Sequence, residues 1–190
     1  MKIGIIDCGG ANLNSIYYSF KRMNIKTHIS NSLYELKKMD AFILPGVGTA
    51  GVVMNKLKEN NLINLIQETT KPTLGICIGM QIFFDYSEED NTNCLGIIEG
   101  SVKKLKPNKD IKVPQMGWNK VITNVNNIGG YYYFANSYYT DNDDYAVGHS
   151  YYGKKINSIV KKDNFLGCQF HPEKSSDIGE KFIKNFINLV

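Results

Sequence analysis

Thr73-Leu74-Gly75-Ile76-Cys77-Ile78-Gly79-Met80-Gln81 decides how this chain is read. Thr73 to Ile76 predicts a short buried strand, and Met80 to Phe84 predicts a short helix directly after it. Only Cys77, Ile78 and Gly79 separate the two, so the turn is sharp. Gly79 accepts the tight geometry and close helix packing that a side chain would obstruct. Such a turn pushes the Cys77 side chain out of the sheet. It also brings the sulfur to the positive end of the helix, which favours thiolate over thiol.

The same strand, turn and helix order occurs twice upstream. Lys2 to Asp7 (KIGIID) is a strand, followed by a helix over Asn12 to Met23 with Leu13, Ile16, Tyr17 and Phe20 on one face. Ala41 to Leu44 runs into the turn PGVGTAG and an amphipathic stretch. Strands alternating with helices predict an α/β chain with a mostly parallel central sheet and helices on both faces. From Gly100 to about Gln169 the pattern changes to segments such as KVITNV, YYYFANSYY and YAVGHSYYG between Asn, Asp and Gly clusters, which predicts an antiparallel extension. Ser176 to Val190 closes the chain as a helix, with Ile178, Phe182, Ile183, Phe186 and Ile187 on its apolar face and Ser176 or Asp177 as N-cap. With no linker, repeat or low-complexity segment, residues 1–190 read as one domain.

Composition narrows the function classes. The 190 residues are 43% hydrophobic and 21% charged, enough for a sizeable core and unlike a disordered chain. The net charge of +4 is carried almost entirely by lysine, since Arg22 is the only arginine, which argues against a reader of nucleic-acid sequence. Four cysteines without C-x-x-C spacing point to a reduced, cytoplasmic chain rather than a zinc site or a disulfide scaffold. No apolar run approaches a membrane span or a signal-peptide core.

A lone cysteine is most often inert packing, so Cys77 needs a partner. Gly167-Cys168-Gln169-Phe170-His171-Pro172-Glu173 supplies one. His171 stands past a strand end, and Glu173 follows two residues later. In thiol-based acyl transfer an imidazole takes the thiol proton and later protonates the leaving amine, while a carboxylate holds the ring in the useful tautomer. His28, in a predicted strand, and His149, in a Tyr/Ser-rich hairpin, have no acid in the same pattern and read as structural. The oxyanion of such a reaction needs backbone N–H donors. One can come from the loop Leu44 to Thr49 and the other from Ile78. That loop lacks P-loop spacing, and Asp7 to Ala11 lacks G-x-G-x-x-G, so no nucleotide cofactor is indicated.

Together PGVG, GICIGMQ and QFHPE resemble the class I, triad-type glutamine amidotransferases. More narrowly, Asp7, Gly9, Asn12 and Ser15, the string Pro114-Gln115-Met116-Gly117-Trp118-Asn119, the run Tyr131 to Tyr139, and His-Pro-Glu-Lys-Ser-Ser at 171–176 are similar to the glutaminase subunits of imidazole glycerol phosphate synthase. The resemblance spans essentially the whole chain and implies a flavodoxin-like fold. It implies Cys77 as nucleophile on the glutamine amide, His171 as general acid/base and Glu173 as the residue that orients it. Val47 and Ile78 become the oxyanion-hole candidates, with Gly48, Gln81 and Asn136-Ser137-Tyr138 contacting L-glutamine. No metal or cofactor is implied.

The implied partner is a separate (β/α)8-barrel cyclase, joined as a heterodimer with an ammonia tunnel, because 190 residues leave no room for an ammonia acceptor. Trp118 is then an interface residue or, equally, a core anchor. The family commonly has Tyr at Cys8, Gly at Ala11 and His at Asn136. The first two positions are expected near the partner-facing end and the third near the glutamine pocket. A paralogue feeding a different synthase, such as a sugar amidotransferase, and a non-catalytic binding subunit on the same fold stay open as alternatives. Cys8, Cys94 and Cys168 read as packing or surface residues.

Overall fold

The computed structural model describes residues 1–9, 13–46, 48–109, 111–125 and 127–189. Four short strands, β1 (Ile3–Ile6), β2 (Thr27–Ser30), β3 (Ala41–Leu44) and β4 (Thr73–Ile76), alternate with helices α1 (Leu13–Arg22), α2 (Leu33–Leu36), α3 (Ala50–Glu59) and α4 (Ile63–Gln67). Helix α5 (Ile78–Gln81) follows β4. Strands β5 (Phe84–Ser87), β6 (Thr92–Asn93), β7 (Ile98–Lys104), β8 (Gln115–Thr123), β9 (Gly130–Asn136), β10 (Tyr138–Tyr139), β11 (Ala146–Tyr151), β12 (Lys155–Lys162) and β13 (Phe165–Cys168) precede the last helix, α6 (Ser176–Ile187).

The main sheet has nine strands in the order β2-β1-β3-β4-β13-β12-β11-β8-β9. Pairing is parallel from β2 to β13 and antiparallel from β13 to β9, so the expected parallel sheet and its antiparallel extension are one continuous surface. Strand alternation sorts the core into two faces. Ile3, Ile5, Ala41 and Ile43 meet Ile16 and Phe20 of α1 and Phe182, Ile183 and Phe186 of α6. Ile6, Phe42 and Leu44 meet Leu36, Val53, Leu57 and Ile66 on the opposite side. Strands β1, β3, β4 and β13 are buried throughout, which is why they read as continuous apolar runs.

Three expectations are corrected. The helix assigned to Met80 to Phe84 is a single turn, Ile78–Gln81, and Phe84 opens a strand. The carbonyls of Ile82 and Phe83 are taken by the amides of Leu95, Ile97 and Ile98, which draw the chain into a second sheet, β10-β7-β5-β6. The Tyr131 to Tyr139 run divides at Ser137, where β9 ends and β10 crosses to pair with β7. The N-cap of α6 is Ser175, not Ser176 or Asp177, and its side chain makes no capping bond. Its hydroxyl is engaged with the His171 carbonyl at 2.6 Å instead. Asn12, the predicted start of α1, and Val190 lie outside the described residues. Among the described residues, no helix is long and apolar enough to cross a membrane.

Candidate functional site

Because β3, β4 and β13 are adjacent and parallel, the segments leaving their C-terminal ends converge on one edge of the sheet. This is where open α/β sheets place their ligand crevices. Cys77 follows β4 with φ 52° and ψ −109°, a sparsely populated conformation for a residue with a side chain, and of the kind that costs about 1–3 kcal/mol. Backbone bonds impose it: the Cys77 amide donates to Cys168 O at 2.7 Å, and the Met80 and Gln81 amides donate to Cys77 O. Gly79 permits the turn, since a Cβ there would lie 2.1 Å from Leu44 O. The strained position is therefore Cys77 itself, while Gly79 provides the close packing.

His171 sits past β13, its amide donating to Tyr133 O of β9 at 2.9 Å. Its Nδ1 is 2.8 Å from Glu173 Oε1, with both side chains buried. The carboxylate can only accept, so Nδ1 carries a proton. Burial alone pushes the imidazole down, but the hydrogen bonds to Cys77 and Glu173 and the charges of both lift it to about 10. Cys77, His171 and Glu173 thus form a connected row with a protonated imidazole facing the sulfur at neutral pH.

The row opens on a cleft of about 360 Å³, lined among others by Gly48, Ile78, Gln81, Asn136, Ser137 and Tyr138. Every expected site residue that the structure describes is in contact with this cleft or buried directly behind it. Val47 lies outside the described residues. The Ile78 amide is the first of α5 and has no intrahelical acceptor, as for any first-turn N–H. Gln81 and Asn136 are buried, and Gln81 Oε1 and Asn136 Oδ1 have no hydrogen-bond partner among the described residues.

The cleft is also lined by Gly46, Glu89, Pro114, Ala135 and Lys174, to which residue type and motif alone assign no individual site role. Glu89 Oε2 accepts from the Ala50 amide at 2.9 Å, and burial together with the Asp90 charge raises its pKa despite that bond. Adjacent acids at 88–90 are the only signal that could have flagged it. Gln169, in the string that holds the histidine, has no role that residue type alone indicates. It is fully buried, with Nε2 3.5 Å from Cys77 Sγ.

The remaining histidines are outside the cleft. His28 does contact an acid, Glu35 at 3.1 Å, but the pair is exposed. His149 meets Tyr151 edge-on. Cys8 is fully buried, and burial with the Asp7 charge pushes its thiol to about 12, so this departure is packed inside the fold rather than facing a partner. Ala11 lies outside the described residues. Cys168 is buried too, and Cys94 half-buried. Trp118 is 55% exposed and therefore not a core anchor.

A family model described as glutamine amidotransferase class-I matches residues 4–189. The chain is 44% identical over 191 residues to imidazole glycerol phosphate synthase subunit HisH 2 of Campylobacter jejuni (strain RM1221), covering 98% of each. It is 41% identical over 194 residues to the protein of the same name in Legionella pneumophila (strain Lens), again covering 98% of each. A solved structure described as a glutamine amidotransferase superposes with a TM-score of 0.79 at 17% identity, covering 98% of this chain and 97% of that one, a likeness of fold. With sequence, fold and relatives agreeing over nearly its full length, the chain belongs to the class-I glutamine amidotransferases.

Proposed function

We propose that this chain is the glutaminase subunit of an imidazole glycerol phosphate synthase, a single domain over residues 1–190 that hydrolyses L-glutamine and passes the ammonia on for histidine biosynthesis. The observation that carries the reading is the buried His171–Glu173 pair beside Cys77, held at a strained strand-to-helix turn. The proton of Cys77 resides on His171, and the sulfur attacks the γ-carbonyl carbon of glutamine. The Ile78 amide, with a donor from the Val47 segment, stabilises the oxyanion. His171 then protonates the departing nitrogen, the C–N bond breaks, and ammonia leaves a γ-glutamyl thioester on Cys77. Water activated by His171 cleaves the thioester and releases glutamate.

Gly48, Gln81, Asn136, Ser137 and Tyr138 hold the glutamine. Gln81 and Asn136 contribute amide groups to the cleft wall, and Glu89 faces the ammonium end of glutamine. The relatives are named as subunits of a synthase. Accordingly the acceptor of the ammonia is a separate cyclase, a (β/α)8 barrel forming a heterodimer with an ammonia tunnel, and the pair works in the cytoplasm. The exposed β8 residues Met116 and Trp118 supply its docking surface.

The test is Cys77→Ala in the complex with the cyclase. Glutamine-dependent product formation is abolished while ammonia-dependent formation persists. Continued glutamine turnover by that variant would overturn the assignment.

A further inference from the structure

Between the nucleophile and the cleft wall lies a chain of buried amides that the triad does not account for. Gln169 Nε2 is 3.5 Å from Cys77 Sγ. Gln169 Oε1 accepts from Gln81 Nε2 at 2.8 Å. Gln81 Nε2 also donates to the Tyr138 carbonyl at 3.2 Å. The Gln169 backbone amide donates to Ser158 O at 2.9 Å, and both glutamines are buried.

The polarity of this chain follows from its far end. A backbone carbonyl can only accept, so Gln81 must turn its NH₂ toward Tyr138. That NH₂ then faces Gln169, which must answer with its oxygen. The remaining end of Gln169, its NH₂, is forced toward the sulfur. The opposite setting would place NH₂ against NH₂ in a dry interior, at the cost of unsatisfied buried groups.

We propose that Gln169 is a further catalytic residue of this site: its side-chain amide donates to Cys77 Sγ, favours the thiolate and fixes the direction of the sulfur, with its own orientation set through Gln81 by the Tyr138 carbonyl. This rests on the glutaminase reading and adds to it a link between nucleophile and glutamine pocket, since Tyr138 belongs to the pocket wall. A donor to the charged form of an acid favours that form. The carbonyl of Ala135, 3.8 Å from Sγ, accepts only from the protonated thiol. Gln169 and Ala135 therefore favour opposite protonation states of the sulfur. The charged or titratable groups around Cys77 are His171 with Glu173 behind it, Cys168 on the neighbouring strand, and Glu89, Tyr138 and Lys174 on the cleft wall.

The test is the pH dependence of iodoacetamide alkylation at Cys77, followed by peptide mass spectrometry on the intact chain, in wild type, Gln169→Leu and the isosteric Gln169→Glu. The midpoint is expected to rise by about one pH unit in Gln169→Leu and further in Gln169→Glu, where an acceptor replaces the donor. In complex with the cyclase, kcat for glutamine falls about tenfold while KM stays within about threefold. An unchanged midpoint in either folded variant, or a rise in KM alone, overturns the proposal. If neither variant folds, the Gln169 side-chain amide resonance of the wild type, assigned from its backbone, decides: it shifts with the alkylation midpoint if the bond exists and is flat with pH if it does not. Absence of ammonia release by the wild-type complex would instead overturn the glutaminase reading, leaving the alkylation midpoints to judge Gln169 separately.

Discussion

Gly46 lies so close to Cys77 that a methyl group on its Cα would sit 2.7 Å from the Cys77 Cβ, 2.8 Å from Ile76 O and 3.2 Å from His171 Cε1. The loop after β3 is thus pressed against both members of the proton-transferring pair. Gly46→Ala must displace one of them. The expected outcome is a melting point lowered by the equivalent of about 1–3 kcal/mol and an ammonia-release rate reduced about a hundredfold, the usual cost of ångström-scale misplacement. Calorimetry and a coupled glutamate assay check it, and wild-type turnover would show that the loop yields without moving the pair.

The stability of the His171 environment carries a pH signature. Its ordinary value of 6.5 is lowered by burial but lifted overall to about 10 by the bonds to Cys77 and Glu173 and by their charges. The folded state therefore binds this proton more tightly than the unfolded state. The resulting stability is fully present below about 6.5 and is lost as pH rises toward about 10. The urea midpoint of wild type minus that of His171→Gln should fall steadily across this window. A difference that is flat or grows with pH contradicts the protonated imidazole.

Glu89 lines the cleft, its carboxylate half-buried beside Asp90, and the proposed function sets it against the α-ammonium of glutamine. Glu89→Gln keeps the shape and removes the charge. KM for glutamine should rise about tenfold with kcat nearly unchanged, the mark of a ground-state binding contact. Steady-state kinetics with the cyclase present would separate this from a loss in kcat, which would place Glu89 in the chemistry instead.

Trp118 is exposed on β8 and touches the protein edge-on at Tyr133, centroids 6.3 Å apart. Trp118→Ala should change the isolated chain's stability by less than about 1 kcal/mol. Affinity for the cyclase should fall at least about tenfold, as for an aromatic anchor. Titration calorimetry with the cyclase decides, and unaltered affinity would remove Trp118 from the docking surface.

Much of the local structure was legible because single-segment periodicity encodes it. The apolar runs at 3–6, 41–44 and 73–76 are buried strands, and the helical faces of α1 and α6 pack as their spacing predicts. Where reading failed, a long-range partner outweighed the local pattern. The stretch from Met80 to Phe84 has helical composition, yet the carbonyls of Ile82 and Phe83 are claimed by residues 95–98, and the helix stops after one turn. The Tyr run looks uniform, but Asn136 Nδ2 bonds Tyr138 O at 3.0 Å and the chain changes sheets there. Ser175 looks like a cap residue, yet it ties the His171 turn to β9 by accepting from the Tyr133 amide at 3.0 Å and donating to His171 O.

Residue types and short spacings alone determined that a cysteine stands at a sharp strand-to-helix turn and that a histidine and a glutamate stand two residues apart past another strand. Only the tertiary structure decided that these meet. Strand β13 pairs with β4 in the register Leu166 to Leu74 and Cys168 to Ile76, which sets His171 and Cys77 past the ends of neighbouring strands. The same pairing brings Gln169 to a sulfur 92 residues away. Parallel pairing joins segments remote in sequence through backbone bonds that any residue except proline can make, so no local pattern specifies the neighbour.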